Sequence, residues 1–323
     1  MADWQPTASI ENLRKRAELF GYIRDFFKQR DVLEVDTPVM SHCAVSDPFI
    51  DSIEVNYQAS VGMEIAPMYL QTSPEYAMKR LLAAGSGAIY QMGKVFRNGE
   101  HGGRHNPEFT MLEWYRPGMD DADLMGEVEA LIKPVLKIDG QVERITYSDL
   151  FQKYVGFRPE NTGLDDLISE TRKHIDIELD DADPDTWLNL LMSHVIEPEL
   201  KALKAIFVTE YPASQAALSK VREGKQGFPV AARFELFVRG VELANGYHEL
   251  TDADEQKRRL EADQEQRKNL DLPQRPLDMR LVEALKKGIP ACAGVALGVD
   301  RLLMLSVSAD ALADVIPFDL TKA

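Results

Sequence analysis

Two strand-like stretches, ARFELFVRG at 232–240 and VELANGYHEL at 241–250, abut with only Arg239 and Gly240 at their junction. A chain that reverses so tightly must pair with itself as an antiparallel hairpin, because parallel neighbours need a long crossover. The rest of the sequence adds to that start. VLEVDTPVM (32–40) reads as extended, with Pro38 suited to an edge or a strand end because it cannot donate to a ladder. MYLQT (68–72) reads as a strand, and segments 88–97 and 107–116 as two more around the polar loop RNGEHGGRHN. AIFVTEYP (205–212) is a further strand, and GVALGVDRLLML (294–305) joins a Gly-containing strand to a helix.

Helices separate these runs. The first is expected from Ser9 as N-cap to about Arg30, with Leu13, Ala17, Phe20 and Phe27 on one face. Ser73-Pro74-Glu75 predicts another, capped by Ser73, opened by proline and closed at Gly85. Thr251-Asp252-Ala253-Asp254 predicts the start of a charged helix running to about 270. The chain turns more helical and acidic from about 120 to 205, which reads as an insertion within one domain spanning 1–323. The expected class is α+β, with a mostly antiparallel sheet flanked by helices.

Composition narrows the function classes. With 323 residues, 45% apolar and 28% charged, the chain can bury a substantial core as a soluble globular protein. No apolar run has membrane-spanning length, and the opening MADWQPTASIENLRKR lacks the apolar core of a signal peptide. Cys43 and Cys292 form no CxxC pair, which argues against a disulfide framework and a zinc site and for a cytoplasmic setting. A net charge of −16, with no basic cluster beyond LRKR at 13–16, lowers the odds of a nucleic-acid partner.

Three segments carry the chemistry-bearing residues. The loop from Arg97 to His105 holds two arginines, two histidines and three glycines, a set that lets backbone and guanidinium groups approach phosphate oxygens. Taken alone it is equally well a plain turn. Gly294 to Arg301 offers a strand whose glycines leave floor space for a planar ring, followed by an arginine at a helix start, where anions are favoured. A tight strand–helix junction with Arg301 paired to a carboxylate explains it as well. Glu235 and Glu242 fall on two hairpin arms, and a turn at Arg239-Gly240 can aim both at one point, as paired carboxylates do around Mg²⁺ beside nucleotide phosphates. For either glutamate singly, a solvated strand face is the plainer account.

Together these segments resemble the signature motifs of class II aminoacyl-tRNA synthetases, and lysyl-tRNA synthetase in particular. VLEVDTPVM resembles the first motif, GKVFRNGEHGGRHNPEFTMLEWY the second and GVALGVDRLLML the third. TSPEYAMKRLL and ELANGYHELTDADEQ look like lysine-specific parts of that family, and the likeness covers the chain from residue 9 onward. The catalytic pattern begins within the first ten residues, so no anticodon-reading OB-fold is expected. That combination is similar to the elongation factor P–(R)-β-lysine ligases, stand-alone lysyl-tRNA synthetase paralogues. The resemblance implies an ATP-dependent, AMP-forming ligase that activates (R)-β-lysine as its adenylate and transfers it to a lysine ε-amine of elongation factor P. It also implies ATP and Mg²⁺ as cofactors, a homodimer with Pro38 at the interface, and neither tRNA nor a membrane as partner.

Arg97 is implied to contact the α-phosphate, Arg104, His105 and Arg301 the β- and γ-phosphates, and Phe109 and Arg301 to sandwich the adenine. Arg97 and Arg301 are thus the implied catalytic pair. Glu100 is implied in adenine recognition, although it stands three residues after Arg97 where the family usually has two, Gly99 taking that place. Glu235 and Glu242 are the implied Mg²⁺ ligands. Glu75 is implied to bind the ammonium near the substrate carboxylate, and Glu249, helped by Tyr115, the distal one, with Glu113, Asn245 and Tyr247 lining the pocket. Tyr115 and Tyr247 are otherwise ordinary core aromatics. Ala296 stands where lysyl-tRNA synthetases have glycine, and Ser73 where they commonly have alanine. An added methyl and hydroxyl there would favour moving the amino group from Cα to Cβ, by roughly 1–3 kcal/mol of preference.

Three other readings stay open from sequence: an amide-forming synthetase like asparagine synthetase paralogues, a non-catalytic amino-acid sensor, and a lysine-activating enzyme acting on tRNA. The stretch Asn245–Glu249 speaks against an aspartate pocket, which would need a cation, and retention of Arg97, Arg301, Glu235 and Glu242 speaks against a sensor.

Overall fold

A computed structural model of the chain describes residues 4–323. Helix α1 (Ile10–Lys28) is followed by strands β1 (Leu33–Glu34), β2 (Met40–Ser41), β3 (Glu54–Gln58) and β4 (Ile65–Leu70), then α2 (Glu75–Ala83). Strands β5 (Ile89–Phe96) and β6 (Glu108–Pro117) lead to α3 (Asp121–Leu136), β7 (Glu143–Thr146) and α4 (Tyr147–Tyr154). Helices α5 (Leu164–His174), α6 (Pro184–Leu191) and α7 (Glu197–Leu200) precede β8 (Ile206–Pro212), β9 (Val221–Glu223), β10 (Pro229–Val238) and β11 (Val241–His248). The chain ends with α8 (Ala253–Asn269), α9 (Met279–Lys287), β12 (Cys292–Gly298) and α10 (Val299–Ser306). These elements form two compact units: one holds the chain up to Gly118, Thr251–Cys292 and Ala296–Ala323, the other Met119–Leu250 and Ala293–Val295.

In the first unit β5 and β6 pair antiparallel over their full length, from Ile89 opposite Tyr115 to Phe96 opposite Glu108, and β1 adds to β5 in parallel. A separate antiparallel sheet runs β2–β4–β3. Ser9 caps α1 by accepting from the Asn12 backbone at 3.1 Å, and α1 buries Leu19, Ile23, Phe26 and Phe27. Phe27 stacks on Tyr90 with centroids 4.4 Å apart and meets Trp114 edge-on at 5.4 Å, fixing the helix on the β5–β6 pair. Helices α2 and α9 close over a core of Met78, Leu82, Ile89, Tyr115, Leu281, Leu285 and Cys292.

Helix α2 differs by one residue from its sequence signature. Pro74 takes the cap position, with φ −77° and ψ −1°, and the helix begins at Glu75. Ser73 Oγ nevertheless accepts the Glu75 N–H at 3.0 Å, so it satisfies one of the orphan donors of the first turn.

The second unit is built on β11–β10–β8, all antiparallel, with β7 parallel to β8 and β9 antiparallel to β10. Its core gathers Tyr147, Leu150 and Phe151 from α4, Trp187, Leu188 and Leu191 from α6, and Ile206 and Val208 from β8. Fully burying one such Phe or Leu side chain contributes roughly 1.5–3 kcal/mol. Arg239 and Gly240 both take positive φ, 50° and 70°, which makes the two-residue turn between β10 and β11 that the sequence calls for. Antiparallel pairing dominates both units and helices flank the sheets, which is the α+β class expected from the sequence. Among the described residues no helix is long and apolar enough to cross a membrane.

Candidate active site

The first unit brings the nucleotide candidates onto the β5–β6 connection and the head of α10. Arg97 follows β5 directly. Its Nη1 lies 3.3 Å from Glu100 Oε1, and its guanidinium carbon is 5.2 Å from the Phe109 ring centroid, within cation–π range. Arg301 is the third residue of α10, where the helix dipole favours anions. Its Nη2 is 2.8 Å from His105 Nε2 and its Nε donates to the Arg104 carbonyl at 3.4 Å. Arg301, Arg104 and His105, 197 residues apart in sequence at the widest, therefore meet in space.

Three supports of this group were not legible in the sequence. Asp300, almost fully buried, accepts from Arg16 Nη1 at 2.5 Å and from the Thr110 backbone at 2.7 Å, and Arg16 Nη2 also donates to Thr110 Oγ1 at 2.7 Å. Asn106 donates to the Glu108 carbonyl at 2.7 Å and accepts from the Leu320 backbone at 3.0 Å, pinning the far end of the polar loop. On the near end, Asn98 bonds Asp51 through both backbone (2.9 Å) and side chain (2.9 Å), and Asp51 is itself held by Arg267 at 3.2 Å and Arg275 at 3.1 Å. Those two guanidiniums and the Asn98 amide outweigh burial, so the Asp51 carboxyl sits below the usual carboxylate range.

Gly298 ends β12 at φ −74°, a conformation open to any residue. A methyl built there would meet nothing closer than the Arg301 side chain at 3.6 Å, an ordinary contact. The chain's own packing therefore does not demand this glycine. Ala296, two residues earlier on the same strand, is half-buried.

The amino-acid candidates of the first unit cluster on α2 and β6. Glu75 opens α2, its side chain 17% exposed, and pairs at 2.6 Å with Lys79, whose side chain is 0% exposed. Glu113 and Tyr115 alternate on β6 and so share a face; both are buried, and Tyr115 Oη donates to Glu113 Oε2 at 3.4 Å. Tyr115 packs in the same core as Met78 of α2. Ser73 is half-buried and spends its hydroxyl oxygen on the Glu75 backbone.

The second unit carries the remaining candidates on its hairpin. Glu235 lies opposite Asn245, but Phe237 lies opposite Glu242, so two steps on β11 match one on β10 between Leu236 and Phe237. Counting from the turn already sets Glu242, opposite Phe237, on the face of Glu235; the bulge gives β11 an extra residue and brings Asn245 rather than Ala244 opposite Glu235. Glu235 accepts from Tyr211 Oη at 2.6 Å and pairs closely with Arg233, which also donates to Asn245 Oδ1 at 3.3 Å and to the Gln215 carbonyl at 2.9 Å. Burial raises the Glu235 pKa most; Arg233 opposes that shift and the charge of Glu242 adds to it. Arg233 also lies under the Tyr211 ring at 4.5 Å and the Tyr247 ring at 6.0 Å. Sequence reading missed Arg233, although its place two residues before Glu235 on one strand puts it on the same face. Glu249 is fully buried, its segment fixed by a bridge to Ser219 and by the 3.0 Å bond from Leu250 N to Leu218 O. No group of three or more acidic, His or Cys side chains able to hold a metal occurs among the described residues.

Comparison with known proteins gives these groups a context. Residues 1–322 match the family model for class II tRNA synthetases (D, K and N). The chain is 46% identical over 320 residues to an elongation factor P–(R)-β-lysine ligase of Haemophilus influenzae, covering 99% of this chain and 98% of that protein. Ligases of the same name from Yersinia enterocolitica (47% over 325 residues) and Vibrio cholerae (46% over 324) are each matched over 100% of this chain and 99% of their own length. The chain therefore belongs to the class II tRNA synthetase family, in the group represented by the elongation factor P–(R)-β-lysine ligases.

Proposed function

We propose that this chain is an ATP-dependent, AMP-forming ligase that activates (R)-β-lysine and transfers it to the ε-amine of one lysine on translation elongation factor P. The observation that carries the nucleotide half is the convergence of Arg301, His105 and Arg104 at the head of α10, beside a glycine the fold itself does not require. The acceptor half is supported by the near full-length likeness to ligases named for elongation factor P.

In the first step the amino-acid carboxylate attacks the α-phosphorus and pyrophosphate leaves. Arg97 is assigned to the α-phosphate, Arg104, His105 and Arg301 to the outer phosphates, Phe109 to the adenine face and Glu100 to the adenine edge. No protein nucleophile is needed, so the rate comes from orientation and from cations fixed where charge develops. In the second step the acceptor amine attacks the acyl carbon and AMP leaves. Glu235 and Glu242 are assigned to Mg²⁺, which would supply charge neutralisation on the phosphates. Burial raises the proton affinity of Glu235 most and the charge of Glu242 adds to it; a divalent cation would relieve that added repulsion, with ATP oxygens and water completing its shell. Glu75, Glu113, Tyr115, Ser73 and Ala296, with Asn245, Tyr247 and Glu249, are assigned to the amino acid. The enzyme is further proposed to be a cytoplasmic homodimer that makes no use of tRNA.

The test is to incubate the protein with ATP, (R)-β-lysine and elongation factor P and to measure the factor by intact mass. A gain of one lysyl residue on a single lysine is expected. Charged tRNA without modified factor, in the same assay, would replace this reading with the tRNA-acting one.

A further inference from the structure

Lys79 is the unusual member of the amino-acid cluster. Lysines at i, i+4 from a glutamate normally keep their ammonium in water, as Lys257 and Glu261 of α8 do at 3.5 Å with side chains 46% and 54% exposed. Lys79 instead turns inward with a 0% exposed side chain and places its ammonium 2.6 Å from Glu75 Oε1. A buried ammonium is expensive unless it is paired, so the geometry of this contact is tightly held. The second oxygen of Glu75, Oε2, is committed to no protein group among the described residues, and the side chain retains 17% exposure. Glu75 is thus gripped on one oxygen and open on the other.

We propose that Lys79 is a positioning residue of the amino-acid pocket: it locks Glu75 through Oε1 so that Oε2 meets the ammonium near the carboxylate of a lysine-like substrate. The inference rests on the reading of Glu75 as the carboxylate for that ammonium. It has a definite sign. Lys79 is a positive charge close to where a cation binds, so if it acted on the substrate only through charge, its removal would tighten binding. If it acts by holding Glu75, its removal weakens binding.

The experiment is amino-acid-dependent ATP–pyrophosphate exchange with wild type, Lys79→Met, Glu75→Gln and the double variant. Lys79→Met is expected to raise the KM for the amino acid about ten-fold while leaving the KM for ATP within about two-fold. Added to Glu75→Gln it should cost less than about two-fold more, because two residues acting through one contact are not additive. An unchanged or lowered amino-acid KM, or an equal cost in both backgrounds, overturns the proposal. Lys79→Gln, which keeps a donor without the charge, is expected to fall between wild type and Lys79→Met, and it carries the comparison if the methionine variant does not fold. Thermal shifts induced by (R)-β-lysine and L-lysine are read alongside. Ligand shifts without exchange in the wild type would sink the adenylation reading while still testing Lys79; no shift and no exchange would sink both.

Discussion

Asp300 Oδ1 lies 2.5 Å from the Arg16 guanidinium, and its Oδ2 accepts the Thr110 backbone N–H at 2.7 Å. One buried carboxylate therefore joins α1, β6 and the head of α10, and the next residue in the chain is Arg301. The direction in which Arg301 leaves the helix is set by a neighbour that faces the other way, into the core.

Removing that carboxylate should cost stability first. Asp300→Ala leaves the Arg16 guanidinium buried without its partner, a loss of about 3–5 kcal/mol. Chemical denaturation of the two proteins checks the size. Loss of pyrophosphate exchange under conditions where the variant is still folded would report the misplacement of Arg301; full exchange there would separate the two.

Gly298 gives the opposite profile. Its φ of −74° suits alanine, and a methyl would find only ordinary contacts. Gly298→Ala should leave stability unchanged or raise it by about 0.4–1 kcal/mol. The KM for ATP should rise several-fold if the space beside Arg301 holds the nucleotide. Calorimetry and exchange kinetics on one preparation decide both halves.

The first unit should also show a pH signature of its own. Burial raises Asp263 from its ordinary 3.8 to about 6, against the bond it accepts from Ser46 at 2.6 Å. Between those values the folded state binds the proton and the unfolded state does not, so the contribution of Asp263 to stability falls as pH rises from about 4 to 6. Over that window the loss is about 2–3 kcal/mol. Asp263→Asn should flatten the stability profile there, measured by denaturant midpoints at several pH values. An unchanged slope would place the titration elsewhere.

Glu242→Gln tests the assignment to Mg²⁺. Removing that charge takes away a cause of the raised Glu235 pKa and one of the two proposed cation ligands. Half-maximal exchange should need several-fold more Mg²⁺, with the amino-acid KM little altered. A reduced rate that no Mg²⁺ concentration restores would point to another role.

Much of this is legible in the amino-acid sequence. The β10–β11 hairpin followed from Arg239-Gly240, whose positive φ values the turn requires, and Ser9 capped α1 as its residue type suggests. The gathering of Arg301 with His105 was implied only by family likeness, since nothing local in sequence relates residues 196 apart. What stayed hidden were the contacts that need tertiary packing to exist. Arg16 and Asp300 are separated by 284 positions, and either would pass for a surface charge. The bulge in β11 reverses side-chain parity with no glycine or proline to mark it at Leu236 and Phe237, so counting from the turn places Glu242 but not Asn245. Lys79 shows the same limit on a helix, where i, i+4 spacing gives the partner but not whether the pair faces water.

Adenylation of a β-amino acid is the reaction on which the proposed function stands. Amino-acid-dependent ATP–pyrophosphate exchange, run with (R)-β-lysine, L-α-lysine and L-aspartate side by side, tests it most directly. The highest kcat/KM is expected with (R)-β-lysine, with weaker exchange for L-α-lysine and none for L-aspartate. Equal or better exchange with L-α-lysine, or none with any of the three, would contradict it.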